Sequence, residues 1–348
     1  IFWNLSWFFC NQLLFNFHSL MTLFIKYFFS KTFFIFIGLL VGAYLSVSFV
    51  NYYFNVETSR DAPLSGEHKS FSFTYDELDR SYDVYVPKSL KKNAPVFFVF
   101  HGSYGTSQVM REATGYDFEY LAEENGFLVV YPQGYKNFWN DCRRSADYEA
   151  NLKNVDDIGY YKQVINFVEK DFEIDKERVI AMGISNGGHM MFKLAYEAPE
   201  LTLLHVPLVA NLPVNVNNDC NISNKEVNIL IFNGTNDQIN PYDGGLVSLL
   251  GNDSRGNVLS SKDTYSYWKN LTSSYKEEFY TFPNTDEYLN SFVTKKESTG
   301  SKVVALYSLV NGGHIYASPN VTYSPFFSGN VQDINTAEEI YSVFKRLK

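Results

Sequence analysis

From residue 70 onward the chain alternates short apolar runs with amphipathic stretches. Phe71–Thr74 and Ser81–Val86 interleave apolar and polar side chains, the period of an antiparallel pair with one covered face. Pro95–His101 and Phe127–Tyr131 are near-continuous apolar runs, which predicts strands covered on both faces. Val179–Met182, Leu204–Val209, Val227–Asn233 and Val303–Val310 read the same way. Helical patterns fall between them: Gln108–Asn125, a stretch to Asp171 capped by Asn154 with Asp156 and Asp157 in its first turn, a helix ending near Tyr196, Ser261–Ser273, and Thr336–Leu347. Strands alternating with helices predict an α/β fold: a mostly parallel sheet with helices on both faces. Tyr135–Asn154 follows neither period, and loops of that length in a compact domain often carry function.

The first fifty residues differ in kind. They hold no Asp or Glu, and only Lys26 and Lys31 are charged. Phe33–Val50 is long and apolar enough to cross a bilayer. The chain begins with Ile1, and Met21 is the expected natural start. From there a short basic region leads into the apolar run, as in a secretory signal or signal anchor. Lysines before the run, with Glu57 and Asp61 after it, orient the remainder outward. The expected organisation is a hydrophobic leader over 1–50, a polar linker over 51–68 and a catalytic domain over 69–348. The expected location is extracytoplasmic, with membrane contact only through the N-terminal segment.

Hydrophobic residues make up 45% of the 348, enough for a large core, and the formal charge is −9 without a basic cluster, which argues against a nucleic-acid partner. Three cysteines are too few for a disulfide scaffold. Cys10 lies in the leader, and Cys142 and Cys220 form a possible pair in an oxidising compartment. No His/Cys/Asp cluster has metal spacing and no Gly-rich nucleotide loop is present, so no cofactor is expected. Asn233 begins an Asn-x-Thr sequon but ends an apolar strand, where a glycan has no room.

The chemistry gathers at Gly183-Ile184-Ser185-Asn186-Gly187, between a strand and a helix. This is the G-x-S-x-G nucleophile elbow in its required context, with glycines where larger side chains would collide. A serine hydroxyl needs a base, and the base needs a carboxylate to hold its tautomer. Of the six histidines, His314 follows a strand late in the chain, after Gly312-Gly313. His101 reads as structural and His205 as a core residue, while His189, one turn into the elbow helix, is the weaker rival. Asp237 follows an apolar strand between Ser185 and His314; Asp243 shares its loop, and Asp219 lies at the wrong end of the sheet. The backbone N–H groups of Asn186 and Ser103 are the expected oxyanion donors.

Several ordered motifs (FVFHGSYGT, VVYPQG, WNDCR, NVDDIGY, VIAMGISNGG, ILIFNGTNDQINPYDGG and NGGH) resemble the esterase family that joins poly(3-hydroxybutyrate) depolymerase-like proteins with feruloyl and acetyl-xylan esterases of the LpqC type. The resemblance covers residues 70–345. It implies an α/β-hydrolase fold and a Ser-Asp-His esterase acting on a small or oligomeric ester, at Ser185, Asp237 and His314. The chain departs from the family pattern at Ile315-Tyr316-Ala317, where Trp-Pro-Gly is frequent, at His189 and at Cys142. Tyr316 is read as the replacement for the family's aromatic wall, and Trp139 as a second aromatic facing substrate. Two alternatives stand beside the esterase: a serine peptidase of the same fold, and a catalytically inactive surface-binding protein.

Overall fold

The computed structural model describes residues 3–63, 65–285 and 290–347; the first two residues of the leader and Leu64 of the linker lie outside the described residues. The chain forms two compact units, one ending at Asn55 and the other beginning at Val56. The first is a single helix, α1 (Trp3–Phe54), which continues four residues past the expected end of the leader. Its segment Ser19–Phe49 has the length and composition to cross a membrane. At 1.5 Å per residue it spans about 45 Å, against a hydrocarbon core of about 30 Å. Phe34, Leu39 and Leu45 stand exposed on it.

In the second unit the strands are β1 (Val56–Thr58), β2 (Glu67–Tyr75), β3 (Leu78–Val86), β4 (Ala94–Phe100), β5 (Leu128–Pro132), β6 (Ile174–Ile184), β7 (Leu204–Leu208), β8 (Asn228–Gly234), the short β9 (Gly245–Leu246) and β10 (Asn257–Val258), β11 (Ser274–Thr281), β12 (Phe292–Gly300), β13 (Val303–Val310) and β14 (Val321–Tyr323). Ten of them form one sheet in the order β11-β12-β13-β8-β7-β6-β4-β5-β3-β2. The six from β13 to β5 run parallel, and antiparallel strands extend both edges. The helices are α2 (Ser107–Ala113), α3 (Asp117–Asn125), the one-turn α4 (Glu149–Leu152), α5 (Asp157–Phe172), α6 (Asn186–Glu197), α7 (Ser261–Leu271) and α8 (Thr336–Phe344).

The alternation of β4 shows why the sheet sits between helices. Phe97 and Val99 join one core with Phe118 of α3 and Ile340 of α8. Val96, Phe98 and Phe100 join the other, with Val164 of α5 and Met190 of α6. Successive side chains point to opposite faces, so a strand apolar at every position needs cover on both. Each buried phenylalanine contributes about 2–3 kcal/mol. Because β6, β8 and β13 are parallel, the loops that follow them emerge at one edge.

Several local expectations are revised. The helix expected over 108–125 is two helices, broken where Gly115 and Tyr116 take φ values of 59° and 56°. The cap of α5 is Asp156, whose carboxylate accepts the Gly159 N–H, while Asn154 lies outside the helix. Residues 56–58, inside the expected linker, form β1 and pair with β14. The β11–β12 ribbon was not anticipated. Its sequences SYKEEFYT and FVTKKESTG have no apolar period, because ladder bonds and cross-strand contacts such as Lys296–Glu277 hold an otherwise polar edge.

Candidate active site

β6 runs into Ser185, where φ is 56° and ψ is −116°, and α6 starts at the next residue. That backbone state costs about 1–3 kcal/mol and persists only where its surroundings impose it. A Cβ on Gly183 would lie 2.2 Å from the Gly187 carbonyl oxygen, and one on Gly187 would lie 2.6 Å from that of His101. Both positions therefore exclude any side chain. The Ser185 N–H donates to the Leu208 carbonyl at 2.9 Å, which fixes the turn to β7. The Ser185 hydroxyl is half-buried and bonds to no described residue.

Beyond β8, Asp237 is buried, and its Oδ1 accepts the N–H groups of Ile239 and Asn240, both at 2.8 Å. Its Oδ2 lies 2.7 Å from Nδ1 of His314, which follows β13. The two loops interlock: a Cβ on Gly234 would meet the Gly313 carbonyl oxygen at 2.2 Å. The His314 N–H donates to Phe327 at 2.8 Å. With Nδ1–H donated to the carboxylate, Nε2 holds the lone pair and can accept a proton.

The rivals lie elsewhere. Asp243 is exposed, and Asp219 faces solvent with Arg144. His189 is buried with Nδ1 unpartnered; burial, and then the charge of Arg143, hold it well below the usual imidazole range, so it stays neutral. His101 donates from Nδ1 to the Gly102 carbonyl at 2.7 Å and accepts the Gly134 N–H at Nε2 at 2.9 Å, and burial pulls its pKa down to about 4. It is structural.

The loop after β4 lies against the elbow, for a Cβ on Gly102 would sit 3.2 Å from that of Ser185. In this loop the N–H of Tyr104 donates to Asn137 and that of Gly105 to Gly102. The Ser103 N–H donates to no described residue. The Asn186 N–H, at the first position of α6, has no intrahelical acceptor.

Two residues do not sit where the sequence suggested. Trp139 is fully buried: its indole donates to the His101 carbonyl at 2.9 Å, its backbone N–H donates to Asn186 Oδ1 at 2.7 Å, and its ring packs on Phe100. Tyr316 is also buried, donating to Asp117 at 3.0 Å and accepting the Ala337 N–H. In both, the polar tip is engaged inside the core, so neither forms a wall against substrate.

A buried cluster that the sequence did not single out sits beside the elbow. Asn186 Nδ2 donates to the Trp139 carbonyl at 3.0 Å, to Asp141 at 2.7 Å and to the Tyr148 hydroxyl at 3.2 Å. Arg143 holds Asp141 through Nε and Nη2, and Tyr148 donates to the same carboxylate at 2.5 Å. Burial pushes the Asp141 carboxyl up, but Arg143 outweighs it and holds it well below the carboxylate range. Cys142, between them, is disulfide-bonded to Cys220 with a Cα separation of 5.0 Å. The signal was present in the loop's polar and aromatic content, but spacing could not show which groups meet. Among the described residues no three His, Cys, Asp or Glu side chains gather as a metal site would need.

No family model matches the chain. It is 28% identical over 171 residues to the bifunctional acetylxylan esterase/xylanase XynS20E of Neocallimastix patriciarum, covering 47% of this chain and 22% of that protein. It is 31% identical over 120 residues to feruloyl esterase B of Thermothelomyces thermophilus, covering 34% of this chain and 40% of the other. The chain thus spans less than half the length of these curated relatives. Among solved structures, the acetyl xylan esterase from Aspergillus awamori superposes with a TM-score of 0.50 at 15% identity, covering 80% of this chain and 99% of that one. The homologues are acetylxylan and feruloyl esterases, and the fold is that of the α/β-hydrolases.

Proposed function

We propose that this chain is a carboxylic-ester hydrolase that works through an acyl-enzyme on Ser185. The observation that carries the reading is a serine held in a strained turn at the sheet edge where a buried His314–Asp237 pair also emerges. His314 Nε2 takes the serine proton as Oγ attacks the ester carbonyl. The N–H groups of Ser103 and Asn186 receive the developing negative charge. Each such donor is worth ~10²–10³ in turnover. The alcohol leaves with the proton from His314, which then activates a water to release the acid. Asp237 keeps the Nδ1–H tautomer and steadies the imidazolium. In the structure Ser185 does not yet bond to His314, and such contacts commonly tighten only around substrate.

The substrate class proposed is feruloyl, acetyl or hydroxyalkanoate esters, following the names of the relatives and the motif resemblance. The Ser19–Phe49 segment supports an extracytoplasmic catalytic domain, secreted or anchored, where the Cys142–Cys220 bond would persist. The test is turnover of p-nitrophenyl acetate and butyrate by the detergent-solubilised chain beside Ser185→Ala. The variant is expected to lose at least ~10³-fold and to resist labelling by a fluorophosphonate. Equal rates for the two proteins would end the reading.

A further inference from the structure

The chain contains eight arginines. Seven meet a carboxylate: Arg60, Arg80, Arg111, Arg143, Arg144, Arg178 and Arg346. Arg255 meets none among the described residues, although only 3% of it is exposed. Its one side-chain hydrogen bond runs from Nη1 to the Asn252 carbonyl at 3.5 Å, at the long limit for such a bond. Nε and Nη2 bond to no described residue, and neither is sealed from solvent. A buried histidine can shed its proton, but a guanidinium cannot. Arginine is almost never this buried without a partner.

The position of Arg255 ties it to the catalytic edge. It lies in the β9–β10 hairpin, whose Ser248 N–H donates to the Ile239 carbonyl at 3.1 Å, in the turn wrapped around Asp237. On the other side, Ser254 Oγ donates to Asp147 at 2.6 Å, and Asn217 joins the Arg255 carbonyl at 3.0 Å to Ser145. The hairpin thus bridges the Asp237 loop and the loop that clamps Asn186. The charge of Arg255 bears on His189, one turn after Ser185.

We propose that Arg255 binds a carboxylate carried by the substrate, so that the preferred esters bear a negative group; this rests on the ester-hydrolase reading. Nε and Nη2 form the side edge of the guanidinium, the edge with which Arg143 holds Asp141 and Arg111 holds Glu119. That planar pair of donors matches the two oxygens of one carboxylate. A chain of net charge −9 repels anions at long range, so a fixed local cation is what would retain one.

The test compares two pairs of esters on the full detergent-solubilised chain. Mono-p-nitrophenyl adipate against p-nitrophenyl hexanoate places the carboxylate on the acyl side. A 4-(hexanoyloxy)benzoate against phenyl hexanoate places it on the alcohol side. The wild type is expected to favour the anionic ester of at least one pair through KM. Arg255→Met lowers that pair's anionic-to-neutral kcat/KM ratio by ~10–100-fold, and Arg255→Lys, a point charge without the fork, falls between. No anionic preference in the wild type, or a ratio unchanged in Arg255→Met, overturns the proposal. Should Arg255→Met fail to fold or to label with a fluorophosphonate, Arg255→Lys decides, and a wild-type ratio there overturns the proposal. Turnover of none of the four esters above the Ser185→Ala background sinks the hydrolase reading instead, whereas neutral turnover without anionic preference removes Arg255 alone.

Discussion

Arg143 and Arg255 are buried to the same degree, 2% and 3% exposed, within two neighbouring loops of one unit, yet their surroundings are opposite. Arg143 meets Asp141 through Nε and Nη2 and the Tyr148 hydroxyl at 3.3 Å, and those partners hold the Asn186 side chain. Arg255 bonds only through Nη1 and leaves the same edge unbonded among the described residues. A cation met by a carboxylate of the fold supports the fold; one met by none is free to serve outside it. Burial alone does not separate the two cases, and partner geometry does.

The largest effect should come from breaking the satisfied pair. Asp141→Leu leaves the Arg143 guanidinium buried and without a carboxylate, and should lower unfolding free energy by about 3–5 kcal/mol in denaturant titration. Asp141→Leu with Arg143→Met should recover most of that loss, and additive losses would mean the pair is not coupled. Next, replacing Cys142 and Cys220 with serine opens a loop of 78 residues' separation beside the same cluster. The expected cost is roughly 2–4 kcal/mol, read as a shifted denaturation midpoint.

Buried histidines extend the comparison, because they resolve burial by losing charge. His101 and His205 have pKa values pulled to about 4 by burial, against 6.5 unfolded. Between pH 6.5 and 4 the unfolded chain binds more protons than the folded one, so stability rises with pH through that window. Each should cost about 2.5 kcal/mol at pH 4.5 relative to pH 7.5. His205→Leu should flatten the pH dependence of the midpoint by one such step, and an unchanged slope would refute it. The smallest effect is expected at Arg255. Arg255→Met should change stability by about 1 kcal/mol or less, since the fold loses one long hydrogen bond. A loss of 3 kcal/mol or more would make Arg255 a structural cation like Arg143.

The elements that could be read from the sequence are those in which local pattern and tertiary demand agree. β13 falls on Val303–Val310 as its apolar run indicates, and the strand–turn–helix around Ser185 follows from glycines at 183 and 187. The β11–β12 ribbon carried no such pattern, since of its residues Val293 joins the core while ladder bonds hold the edge strand β11. Trp139 and Tyr316 misled for a related reason. A loop aromatic reads alike whether its polar tip meets solvent or, as for Trp139, the His101 carbonyl.

Sequence by itself determined the α/β class, the elbow and the order in which Ser185, Asp237 and His314 follow their strands, because period and turn chemistry act over a few residues. Only the tertiary structure decided that His314 meets Asp237 across 77 positions, that Asp141 meets Arg143 beside Asn186, and that Arg255 is left without a carboxylate among the described residues. Those outcomes depend on which loops the sheet order brings side by side, and hydrogen bonding between distant side chains leaves no periodic trace in the chain that encodes it.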